Sequence, residues 1–128
     1  MAREPIPEEL RRFILTSVPS VPFVEALLVY QGAGGTPVAL ETVASRLYIG
    51  EKAAAEIVEQ LAAARVIARA AEEPGYRFQP ATPELATVIE QLAFFYRTQL
   101  VEVTNVIHSR TLRRAHQFAD AFKLRKDT

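Results

Sequence analysis

The residues able to do chemistry are few. His108 and His116 are the only imidazoles, and on a continuous helix their spacing sets them two turns apart, too far to share one metal ion. Neither sits in an HExxH-type pattern. Glu51, Glu56 and Glu59 fall on one helical face, where solvation accounts for them as well as acid–base duty does. Ser17 and Ser20 lie in the Pro-punctuated stretch Ser17-Val18-Pro19-Ser20-Val21-Pro22 with no histidine nearby, so turn or capping work explains them. The stretch Gln31-Gly32-Ala33-Gly34-Gly35-Thr36-Pro37 lacks a following Lys-Ser or Lys-Thr and follows no strand; it reads as a surface connector rather than a phosphate cradle. No catalytic residue, no metal and no cofactor is expected.

Those side chains hang on a chain of 128 residues, 49% hydrophobic and 23% charged, enough for one domain with a core of its own. The absence of cysteine rules out a disulfide framework and a thiolate zinc site, and fits a cytoplasmic location. The N-terminal residues Met1 to Pro7 contain no apolar signal core, and no stretch approaches the ~20 apolar residues of a membrane span. Net charge is zero, but it is unevenly placed: residues 1–96 carry eight basic and twelve acidic side chains, and residues 97–128 seven against three. The last quarter is therefore a basic segment.

The apolar spacing predicts the elements. Leu10, Phe13 and Ile14 recur at helical intervals behind Pro7, giving an N-terminal helix over 7–17. Ser20 is an N-cap for a second helix carrying Val24, Leu27 and Leu28, which the glycine loop stops. A third helix follows from about Ala39 to Leu47 and a fourth from Glu51 to Ala64. Val66-Ile67-Ala68-Arg69 and Tyr76-Arg77-Phe78 then alternate like strands around Glu72-Glu73-Pro74-Gly75, a β-hairpin. Thr82 and Pro83 open a long helix over 83–108.

Three helices followed by a hairpin is the order of a winged helix-turn-helix. The ungapped run from Val43 to Ile67 resembles the two-helix unit of MarR-like and PadR-like bacterial transcriptional regulators. Val43, Ala44 and Leu47 match the first helix of that unit, Ile49 the apolar turn residue, Val58 and Leu61 the core side of the recognition helix, and Val66-Ile67 the entry to the wing. The physics agrees: small Ala44 permits close helix approach, and Leu47, Ile49, Ala54, Val58 and Leu61 are able to bury between the helices. The resemblance covers residues 22–80. It implies a mainly α fold with a small β-hairpin wing, flanked by N- and C-terminal helices, and a small DNA-binding regulator that acts as a homodimer. Lys52, Arg46, Arg69 and Arg77 would then be the cations facing DNA, and Gly50, Glu51, Ala55, Glu56 and Glu59 the outer surface of the recognition helix.

Three departures stand against this pattern. The recognition-helix surface sets three carboxylates against one ammonium, and a carboxylate facing phosphates is repelled. Glu72 and Glu73 occupy the wing tip, where the family offers a basic residue. Arg65 replaces the glycine common at the end of the recognition helix, which predicts a different helix ending. Two partners therefore stay open: double-stranded DNA, or a protein docked by a winged-helix interaction module that does not read sequence.

The long helix carries two apolar rows, Leu85, Val88, Leu92 and Phe95 beside Ile89, Tyr96, Leu100, Val103 and Ile107. One small chain does not easily cover both. A homodimer is expected, with Phe13, Ile89, Tyr96, Leu100, Val103 and Ile107 at its interface. Over 110–126, Leu112, Ala115, Phe118, Ala119 and Phe122 interleave with Arg113, Arg114, Lys123, Arg125 and Lys126, a basic amphipathic tail.

Overall fold

Pro7 fixes the backbone just ahead of α1 (Glu8–Ser17), and Glu8 and Glu9 place negative charge at the positive end of that helix. Leu10 and Ile14 bury completely. Val18 is extended, as the residue before Pro19 must be, and ends α1. The chain then turns through 112° into α2 (Val21–Ala33), whose first turn is capped by Ser20 Oγ accepting the Phe23 N–H at 3.3 Å. α2 buries Phe23, Val24, Ala26, Leu27 and Tyr30, and α3 (Leu40–Leu47), α4 (Glu51–Ala63) and the strand over Tyr76–Phe78 all pack on it. Burial of such side chains contributes about 1.5–3 kcal/mol each.

In this computed structural model, which describes residues 4–109, strands β1 (Ile67–Arg69) and β2 (Tyr76–Phe78) form an antiparallel hairpin, with Ile67 opposite Phe78 and Arg69 opposite Tyr76. A bridge between Val38 and Tyr76 ties the wing to the linker before α3, the Val38 N–H donating to the Tyr76 carbonyl at 2.8 Å. The closeness has a consequence for the wing turn. Gly75 has φ +110°, and a Cβ there would lie 2.6 Å from the Val38 carbonyl oxygen, so only glycine fits. The expected order of elements is thus observed: a mainly α fold with a winged helix-turn-helix arrangement.

The long helix is not continuous. α5 (Pro83–Thr98) begins at Thr82, whose Oγ1 accepts the Leu85 N–H at 3.0 Å, but it stops at Gln99, which has φ −137° and ψ 58°. α6 follows over 100–109. The expected single helix over 83–108 is corrected to two. Neither glycine nor proline marks the break. The Gln99 side-chain amide donates to the Glu4 carbonyl at 2.9 Å, a tertiary tie to the N-terminal segment that a local pattern does not contain.

The break also corrects the expected interface. Ile89 and Val103 are fully buried and Ile107 nearly so, all within one chain, and buried side chains offer nothing to a second subunit. Phe13 and Tyr96 are partly buried against the core, and Tyr96 donates its hydroxyl proton to Glu25 Oε1 at 3.3 Å. α1 packs on α5 within the chain, which covers part of the surface reserved for a partner. Of the expected interface residues only Leu100 is exposed, at 49%. Val101, next to it in sequence, and Phe94, in the last part of α5, are 62% and 42% exposed. The basic tail at 110–126 lies outside the described residues.

Candidate nucleic-acid interface

The turn between α3 and α4 is built by a helix ending that favours glycine and does not use one. The Ile49 N–H donates to the Ala44 carbonyl and the Tyr48 N–H to the Ser45 carbonyl, the two bonds of a Schellman motif. Its pivot, Tyr48, sits in the left-handed region at φ 56° and ψ 44°, which costs an L side chain about 1–2 kcal/mol. Tyr48 is also 95% exposed, so its ring gains almost no burial in return. Tyr48 is thus an aromatic side chain held on a strained backbone and presented to solvent just ahead of the N-terminus of α4. Sequence reasoning passed over Tyr48, because neither its φ nor its exposure shows in its spacing.

Gly50 follows as the N-cap of α4 and supplies no side-chain acceptor, so no side chain of the cap residue covers the first amides of the helix. Glu51 and Lys52 are exposed at that end, Glu56 and Glu59 are exposed further along, and Ala55 is half-buried. The opposite side of the helix buries Ala54, Ile57, Val58 and Leu61. α4 thus has an exposed side and a buried side, with Ala55 at their edge. Arg46, in the last turn of α3, is exposed as well.

At the far end of α4 the expected departure is corrected. Arg65 adopts φ 63°, the conformation the missing glycine would have had, and the bonds Arg65 N–H to Ala62 and Val66 N–H to Leu61 complete a second Schellman motif. Buried Val66 and Leu61 supply the apolar contact that accompanies this ending. The helix ends as a glycine-containing one would, with strain in place of freedom.

The wing's two arginines differ. Arg69 is exposed, with its guanidinium carbon 6.0 Å from the centre of the Tyr76 ring, a cation–π arrangement that leaves the charge reachable from solvent. Arg77 is half-buried and its Nε is buried without a partner among the described residues, which makes it the weaker candidate for a direct contact. Glu72 and Glu73 at the tip are exposed. The exposed cations of the helix-turn-helix and wing are thus Arg46, Lys52, Arg65 and Arg69.

The fold and this turn-plus-helix surface define the class: a winged-helix-like, mainly α protein. No protein-family model matches the chain, and no curated protein does. In fold it is similar to the crystal structure of RV1404 from Mycobacterium tuberculosis, at 18% sequence identity and a TM-score of 0.51, over 90% of this chain and 82% of that one. Among the described residues no single helix is long and apolar enough to cross a membrane.

Proposed function

We propose that this protein is a small DNA-binding regulator that contacts duplex DNA through the α3–α4 turn, the start of α4 and the wing, and that it acts as a homodimer. The observation that carries the reading is Tyr48: strained, unpacked, and set beside Lys52 and the N-terminus of α4, from which a phenol is able to reach a phosphate or the edge of a base. Arg46, Lys52 and Arg69 supply the phosphate contacts. Three such contacts per chain are six in the dimer, which corresponds to a slope of about −5 in log affinity against log salt. Glu51, Glu56 and Glu59 hold nonspecific binding down, so that affinity depends on the sequence offered. Leu100, with Phe94 and Val101, remains as the exposed apolar surface for the second copy.

Fluorescence anisotropy of a labelled random-sequence duplex in low salt tests this. The wild-type protein is expected to bind weakly, Tyr48→Ala and Lys52→Ala more weakly still, and Glu51→Gln with Glu56→Gln more tightly. A second reading, a module that docks a basic protein surface, is favoured by one observation: all five carboxylates of the outer α4 face and wing tip, Glu51, Glu56, Glu59, Glu72 and Glu73, are exposed. Failure of every variant to associate with any duplex transfers the function to that reading.

A further inference from the structure

A cavity of about 330 Å³ opens under the wing, lined by Tyr30 from α2, Val38 to Glu41 at the start of α3, Ala55, Val58 and Glu59 of α4, and Pro74 to Tyr76 of the wing. That volume is at the lower end of what small-molecule sites enclose. Its two levels differ in chemistry. At the rim stand two exposed carboxylates, Glu41 and Glu59, and among the described residues no lysine or arginine lines the cavity. Its walls are apolar and aromatic: Val38, Leu40, Val58 and the half-buried Tyr76.

Tyr30 supplies the independent sign of a ligand. The residue is fully buried, yet its hydroxyl has no hydrogen-bond partner among the described residues. A buried hydroxyl left unpaired destabilises the fold, and a phenylalanine would fill the same space without that cost. Burial, with the Tyr76 phenol nearby, pushes the Tyr30 hydroxyl up to about 12, so it is a neutral donor at any physiological pH.

We propose that this cavity binds a small amphipathic amine, with an ammonium group at one end and a hydroxyl or carbonyl oxygen at the other. The oxygen accepts the Tyr30 hydroxyl proton at the floor, the hydrocarbon or aryl body packs between Val58 and Tyr76, and the ammonium lies between Glu41 and Glu59 at the rim. An acidic ligand would meet two carboxylates and is excluded. The site shares Ala55 and Glu59 with the outer face of α4, and its test on the free chain reads the same whether DNA or a protein is the partner of that face.

Isothermal titration calorimetry on the full chain tests the proposal with three probes of one shape: tyramine, phenethylamine, which lacks the hydroxyl, and 4-ethylphenol, which lacks the ammonium. Tyramine is expected to bind at least about fivefold more tightly than either. In Tyr30→Phe, a substitution that removes only the unpaired hydroxyl, the preference for tyramine over phenethylamine should vanish while the preference over 4-ethylphenol persists. In Glu59→Gln the reverse is expected, a reduced preference over 4-ethylphenol alone. Equal affinity for all three probes, no binding of tyramine, or a hydroxyl preference unchanged in Tyr30→Phe would each overturn the assignment. Amide chemical-shift changes on tyramine addition should centre on residues 38–41, 55–59 and 74–76; changes confined elsewhere would also overturn it.

Discussion

Replacing Tyr48 by glycine should stabilise the fold while weakening the contact surface. The left-handed backbone at Tyr48 costs about 1–2 kcal/mol relative to a permitted region. Glycine escapes that cost but brings more freedom to the unfolded chain, worth about 0.5–1 kcal/mol in the opposite direction. A side chain 95% exposed has almost no packing to lose. The net expectation for Tyr48→Gly is a gain of about 0.5–1 kcal/mol, and for a chain of this length that raises Tm by about 2–4 °C. Arg65→Gly is the internal comparison, since Arg65 is exposed, at φ 63°, and closes the same kind of helix ending. Circular dichroism melts of both variants, paired with anisotropy against duplex DNA, read the two effects separately. Both should melt higher than wild type, with Tyr48→Gly losing the greater part of its DNA affinity. A Tyr48→Gly protein that melts several degrees lower would refute the argument from strain, because it would mean the tyrosine makes stabilising contacts that its exposure denies.

Other parts of the structure give outcomes of opposite sign. Gly75→Ala forces a Cβ onto the Val38 carbonyl at a positive φ, so it should lower stability by about 2 kcal/mol or more in a denaturant titration and loosen the wing. Tyr30 remains protonated in the folded state up to about 12 but loses its proton near 10 when unfolded, so the folded state is favoured below pH 10 and that advantage of about 3 kcal/mol is lost between pH 10 and 12. Stability measured over that window should fall less steeply in Tyr30→Phe than in wild type. Val103→Glu buries a charge in the core and should unfold the chain, whereas Leu100→Glu should leave the fold intact and shift light-scattering mass from dimer to monomer. A monomeric wild type would remove Leu100 from any interface.

Local signals carried the winged helix. Ser20 and Thr82 were readable as caps because a hydroxyl just ahead of an apolar period satisfies an amide that the helix cannot, and both make that bond. Pro74-Gly75 was readable as the wing turn for the same local reason, although the clash that makes Gly75 obligatory comes from Val38, distant in sequence. What the sequence hid was tertiary. α5 stops at Gln99 without proline or glycine, where the side chain bonds to Glu4, and beyond the break Val103 and Ile107 bury in their own chain. Of the candidate site, the cations and carboxylates of α4 were legible as an outer face once the helical period was known. Tyr48 was not, since a residue whose importance lies in its φ and exposure leaves no mark in spacing. Arg65 misled by its identity, because the missing glycine did not change the helix ending.

The central claim is that the α3–α4 turn and the wing form the surface that meets DNA. Amide chemical-shift mapping of the full chain during titration with a short random-sequence duplex in low salt tests it most directly. The account predicts shifts concentrated at Arg46 to Glu56 and around Arg69, led by Tyr48 and Lys52, that fade as salt rises. Shifts absent at saturating duplex, or confined to the α1 and α6 side around Arg11 and Asn105, would contradict it.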